Sequence, residues 1–246
     1  MLKRTLLATA VAAMVLAAWA THAGAAHSRM SALPDTTLWA WQRPEKLTYI
    51  DPHRSAVAVL VETITLPAKF EPRNQPISAP DRTDYIAVIR IQGTPAEPPD
   101  PNMIAGRIAH YADNPHTRAM QIDFDATVSQ RAFYRALLTE VRKRLPNDMP
   151  LSITALVSWC EGDDWIANLP VDEAVPMYFR MGVDQRNIRR DHMDVRNLRE
   201  PLCRSSVGVS LDEPWPRFDS DVRVYAFAPA PWTESDYRRT LERLAR

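Results

Sequence analysis

The chain has 246 residues, and its 30 lysines and arginines balance 30 aspartates and glutamates. That balance excludes nucleic acid and an anionic membrane as main partners, because both select a strongly basic surface. The length suits one large domain, and six glycines against 21 prolines predict stiff connecting loops.

Residues 1–25 read as a signal peptide. Lys3 and Arg4 form a charged start, Leu6 to Ala20 an apolar run, and Ala23, Gly24 and Ala25 a small-residue cleavage site. The apolar run of about fifteen residues is short for a membrane span, which needs roughly twenty. No cysteine follows it to carry a lipid, and no later segment approaches spanning length. The expected location is periplasmic or secreted. Cleavage leaves 28 basic against 30 acidic residues. Residues 26–36 then form a flexible lead, and residues 37–246 a single domain.

Leu38-Trp39-Ala40-Trp41 reads as a first strand, ended by Gln42-Arg43-Pro44. Val57 to Thr65 is a second, apolar except for Glu62 near its end. The stretch from Pro67 to Asp84 holds four prolines and cannot carry a long helix. Tyr85 to Gln92 is a third strand, interrupted by Arg90. Asn102 to Ala112 follows as a helix with Ile104, Ile108 and Tyr111 on one face.

The fourth strand is Ala119 to Thr127, and it brings Asp123 and Asp125 to its C-terminal end. A helix runs from a Ser129 cap to Arg144, with Phe133, Leu137, Leu138 and Val141 as its inner stripe. Leu151 to Trp159 is the fifth strand and leads into an acidic, aromatic loop. Ala174 to Met181 is the sixth, followed by a polar segment, Asp184 to Arg199, fit only for a short helix. Ser206 to Leu211 and Val222 to Phe227 are the last two strands. Thr233 caps a final helix.

Eight strands, apolar on both faces and separated by helix-sized connections, predict parallel pairing under an outer layer. Eight is also the number that closes a (β/α)8 barrel. The expectation is an α/β fold, a trimmed TIM-like barrel that lacks its second helix. An open doubly wound sheet is the alternative, but it would lack the glycine-rich first turn of a nucleotide site.

Barrel enzymes work at the C-terminal ends of their strands. The predicted strands deliver Trp39, Trp41, Glu62, Arg90, Asp123 and Asp125 to that end. They also deliver Trp159, Glu161, Tyr178, Arg180, Asp212, Glu213 and Trp215, with Trp232 just after the eighth strand. Indole faces stack on sugar rings, and carboxylates and arginines bond hydroxyls, so the partner suggested is a carbohydrate. Glycoside hydrolysis needs two carboxyl groups across the scissile bond. Asp125 with Glu213 or Asp212 could provide them, with Asp123 tuning its neighbour by like charge. No serine–histidine arrangement and no histidine-rich zinc set is present, and no cofactor or metal is expected.

Two cysteines in an exported chain favour a disulfide, Cys160–Cys203. Geometry raises an objection. Cys160 would top the fifth strand while Cys203 precedes the seventh, so the intervening segment would have to climb back.

The chain resembles a family of exported bacterial proteins catalogued as a domain of unknown function. The resemblance rests on Gln121-Ile122-Asp123-Phe124-Asp125, Ser152-Ile153-Thr154-Ala155, and Ser158-Trp159-Cys160. It extends to Val171-Asp172-Glu173-Ala174-Val175-Pro176-Met177, Phe179-Arg180-Met181-Gly182, Cys203-Arg204 and Asp212-Glu213-Pro214. It implies a glycosidase-like barrel. More distantly, the fourth strand is similar to the chitinase-type pattern D-x-x-D-x-D-x-E, with Asp123 and Asp125 on its second and third acids. Met120 replaces the first acid and Thr127 the glutamate. The chitinase-type sixth strand ends in M-x-Y-D, and here it reads Met177-Tyr178-Phe179-Arg180. The departures leave three readings open: a glycoside hydrolase-like enzyme, a non-catalytic glycan- or peptidoglycan-binding protein, and an envelope interaction factor.

Overall fold

A computed structural model describes residues 29–245. The expected signal peptide, residues 1–25, lies outside the described residues.

Eight strands pair in parallel and close on themselves. They are β1 (Thr36–Ala40), β2 (Ser55–Thr65), β3 (Tyr85–Gln92), β4 (Thr117–Asp123), β5 (Leu151–Leu156), β6 (Glu173–Met177), β7 (Ser206–Ser210) and β8 (Arg223–Phe227). Each pairs with its neighbours in sequence, and β1 closes the ring by pairing with both β2 and β8. The fold is a TIM-like α/β barrel, as the sequence implies. Strands buried on both faces explain the near-continuous apolar runs. Outward side chains such as Val57, Ile89 and Ile122 join the helices in one core, while Ala58, Leu60, Val88 and Val175 fill the barrel itself.

The outer layer is incomplete. α1 (Pro101–Ala109) and α2 (Arg131–Arg144) cover the β3–β5 side. After β5 and β6 come only α3 (Val157–Glu161) and α4 (Gln185–Asp191), and α5 (Glu234–Leu244) ends the described chain. No helix lies between β1 and β2 or between β7 and β8 among the described residues. After β2 the proline-rich stretch folds back as an antiparallel strand, Lys69–Pro72. No helix among the described residues is long and apolar enough to cross a membrane.

Several local expectations shift. α2 begins after a 3-10 turn, Val128–Gln130, capped by Thr127 rather than by Ser129. Thr127 and Gln130 bond reciprocally as a capping box. Thr233 caps α5 as expected, in a capping box with Asp236. Such caps satisfy N–H groups that have no helical partner and contribute about 1 kcal/mol each. Of the lead expected over residues 26–36, the described part is seated under the barrel. Met30 and Leu33 are buried, and Arg223 donates to the carbonyls of Met30 (2.6 Å), Leu33 (3.2 Å) and Pro34.

Cys160 and Cys203 form a disulfide with their Cα atoms 6.0 Å apart. The geometric objection dissolves because β5 ends at Leu156, not Trp159. Cys160 therefore leaves the strand on α3 and meets the turn Pro201–Cys203. Its carbonyl also accepts from the backbone N–H groups of Arg199 and Glu200, both at 3.0 Å.

Candidate functional site

A cleft of about 490 Å³ opens at the C-terminal mouth of the barrel. One part of its wall is aromatic. Trp39 and Trp41, two residues apart at the end of β1, stack with centroids 5.2 Å apart and planes 8° from parallel. Phe227, the last residue of β8, packs 4.0 Å from Trp39, and Phe179 packs 4.6 Å from Phe227. Trp39 is also fixed from below. Its indole N–H donates to Gln121 Oε1 (3.1 Å), Gln121 donates to Ser152 (3.0 Å), and Ser152 donates to Glu173 (3.0 Å). Trp41 lacks such a tether and is half-buried at the rim.

The rest of the wall is charged. Arg90, next to last on the inner face of β3, forks between the two acids of the β4 end. Nη1 reaches Asp123 at 2.6 Å and Nη2 reaches Asp125 at 3.1 Å. The register places Arg90 beside Asp123 directly. Asp123 is almost closed off, its side chain 7% exposed, and also accepts from Thr154 Oγ1 at 2.8 Å. Burial pushes the Asp123 carboxyl above its ordinary value, and Asp125 adds to the rise, against the pull of Arg90 and Thr154. Asp125, past the strand end, is 54% exposed. One carboxyl is held and the other is offered.

Arg180 completes the cleft from the segment after β6. Its backbone is left-handed, φ 50°, a conformation that costs a non-glycine residue about 1 kcal/mol or more. Glu213 holds it there by accepting the Arg180 N–H at 3.1 Å, and Arg189 holds Glu213 at 2.9 Å. Below, Met177 packs over Gly208. A Cβ at 208 would meet the Met177 sulfur, so a larger residue there would make the Met177 side chain swing aside.

The structure thus brings Trp39, Trp41, Arg90, Asp123, Asp125 and Arg180 to one cleft and sends the other expected residues elsewhere. Glu62 faces outward. A bulge between Leu60 and Glu62 adds one residue to β2 and reverses its alternation, so Glu62 lies buried against Arg107 of α1, 2.8 Å away. Trp159 is buried on α3, edge-on to Trp165 at 4.8 Å. Glu161 pairs with His192 at 3.0 Å, and burial raises its carboxyl. Tyr178 is buried and donates to the His192 carbonyl at 3.0 Å. Asp212 accepts from Ser210 and lines a separate, smaller recess with Asp236 and Arg239. Trp215 lies beneath Arg243, 4.0 Å from its guanidinium carbon, and Trp232 is buried, donating to the Trp39 carbonyl at 3.1 Å. Neither Glu213 nor Asp212 lines the cleft that Asp125 faces.

Sequence reasoning gave no place in the site to Thr154, Gln121, Phe227 or Phe179. Strand alternation could have found the first two, because Thr154 shares the inner face of β5 with Ser152 and Gln121 shares that of β4 with Asp123. Phe227, at the strand's last position, carries the same kind of signal as Trp39.

A second recess, about 890 Å³, opens at the opposite end of the barrel. It is larger but has no aromatic lining, and its arginines are engaged: Arg29 with Asp172 at 2.7 Å and Arg118 with Asp84 at 3.4 Å. Of these two recesses, the mouth is the one that joins ring surfaces to an offered carboxylate. No cluster of potential metal-binding side chains occurs among the described residues.

Residues 81–177 match the family described as Domain of unknown function (DUF3142). The matched stretch runs from just before β3 to the last residue of β6. It therefore contains Arg90, Asp123, Asp125 and Thr154, the charged half of the mouth. No curated protein and no solved structure matches the chain.

Proposed function

We propose that this is an exported, glycosidase-like barrel that binds a carbohydrate at its mouth. The observation that carries the reading is the stacked Trp39–Trp41 pair sharing one cleft with the Arg90–Asp123–Asp125 cluster. A pyranose ring presents an apolar face to an indole and a rim of hydroxyls to charged acceptors and donors. A wall of the first kind beside a wall of the second suits it. The disulfide supports export, since such bonds persist in oxidising compartments.

Binding is favoured over cleavage by where the carboxylates lie. The only two acids lining the cleft, Asp123 and Asp125, share one guanidinium, and Glu213 is engaged by Arg189 and the Arg180 N–H. Thr127, at the position of the chitinase-type glutamate, spends its side chain on the capping box of the following turn. One observation favours hydrolysis as a second reading. Asp123, with its carboxyl raised by burial, sits beside an exposed Asp125, and unlike environments at paired carboxyls are how acid and base roles separate.

Calorimetric titration with peptidoglycan fragments and a panel of neutral and acidic oligosaccharides tests the reading. Trp41→Ala is expected to weaken binding about tenfold, roughly 1.4 kcal/mol, and Asp125→Asn to weaken it less. Unchanged affinity in Trp41→Ala would remove the mouth as the binding site. Release of reducing ends by the wild type, abolished in Asp125→Asn, would establish the hydrolytic reading instead.

A further inference from the structure

We infer that the saccharide taken by the mouth is an acidic one, and that Arg180 receives its carboxylate. This inference rests on the carbohydrate reading and narrows it to a substrate class. The charges in the cleft are unequal in their freedom. Arg90 is spent on Asp123 and Asp125, and Arg43 donates to Glu45 at 2.9 Å and to the carbonyls of Ala228 and Ala230. The Arg180 guanidinium lines the same cleft, is exposed, and has no hydrogen bond or ion pair among the described residues.

Its placement is built rather than incidental. The left-handed backbone at residue 180 is a conformation that arginine adopts only when its surroundings impose it. The Glu213 carboxylate imposes it by accepting the Arg180 N–H, with Arg189 behind it. Glu213 thus acts as a positioning residue, holding the backbone and leaving the guanidinium free. Arg180 also directly follows Phe179, the end of the ring series that runs through Phe227 and Trp39 to Trp41. A sugar lying along those rings would bring a substituent to the guanidinium. A planar fork of N–H donors matches a carboxylate in two parallel bonds. Among the described residues lining the cleft, Arg180 is the one cation without a side-chain partner, and one cation suits one negative charge.

The test uses two matched pairs of probes, titrated into the intact mature protein by calorimetry. Tetragalacturonate against its methyl ester reports a ring carboxylate. The disaccharide of N-acetylglucosamine and N-acetylmuramic acid against chitobiose reports a lactyl carboxylate. The acidic member of one pair is expected to bind at least tenfold tighter than its neutral partner, with a preference that weakens as salt rises. Arg180→Gln should erase that preference, so that the acidic member binds no tighter than its neutral partner. Arg180→Lys should retain part of it, and Glu213→Gln should reduce it without changing the neutral affinity. Equal binding of acidic and neutral members by the wild type overturns the inference while the carbohydrate reading stands. So does a preference that survives in Arg180→Gln. If no saccharide binds in either pair or across the wider panel, the carbohydrate reading falls and takes this inference with it.

Discussion

The barrel holds two carboxylate–arginine pairs inside its wall, one at each end, and they differ in access. At the N-terminal end Glu173 faces Arg223 at 3.7 Å, with side chains 1% and 7% exposed. Tyr225 (2.5 Å) and Ser152 (3.0 Å) donate to the same Glu173 oxygen, and residues 30–34 close the floor by accepting from Arg223. At the C-terminal end Asp123 meets Arg90 at 2.6 Å, but Arg90 is 28% exposed and its second arm reaches an open Asp125. The chemistry is the same and the role differs. A buried ion pair by itself says little about function; the pair at the mouth differs in bordering an open, ring-lined cleft.

If that contrast is right, the two ends should break differently. Glu173→Ala strands a buried guanidinium and removes the acceptor of Tyr225, so it should cost about 3–5 kcal/mol of stability, read from urea unfolding. Arg90→Ala leaves Asp123 with its Thr154 donor and frees Asp125, which is open to water. It should cost less, about 1–2 kcal/mol. Equal losses at the two ends would erase the distinction drawn here.

A smaller effect concerns pH. Burial raises the carboxyls of both Asp123 and Glu173 above their ordinary values of 3.8 and 4.5. Between each ordinary value and the raised one, the native state keeps a proton that the unfolded chain has released. The contribution of these two groups to stability therefore falls as pH rises through that window. Asp123→Asn should remove the mouth's share of the slope and leave Glu173's share in place, as measured by the urea midpoint between about pH 4 and 7. A difference between wild type and Asp123→Asn of opposite sign would mean that ion pairing with Arg90, not burial, governs the Asp123 carboxyl.

Much of this arrangement was legible in the sequence. Alternation along the third and fourth strands placed Arg90 and Asp123 at the mouth, and the i, i+2 spacing of Trp39 and Trp41 put both indoles there. Those inferences depended only on the period of a strand. What failed depended on breaks in the period. The bulge before Glu62 turned that acid outward, and the helical turn at Val157 took Trp159 and Glu161 out of the strand. The packing of residues 29–35 under Arg223 was invisible for another reason. A short segment with little apolar periodicity reads as loose until the carbonyl acceptors of a buried arginine must be found. Glu213 illustrates a third limit. Its position after the seventh strand was correct, but only the structure shows its carboxylate turned to the Arg180 backbone.

The central claim is that a saccharide enters the mouth and lies on Trp41. Each tryptophan gives one indole N–H resonance, so a heteronuclear NMR titration with the tightest-binding oligosaccharide reads all the candidate platforms at once. The account predicts that the Trp41 signal shifts most, that Trp39 follows, and that Trp159, Trp215 and Trp232 stay in place. Shifts confined to Trp215, or a titration that moves no indole, would contradict it.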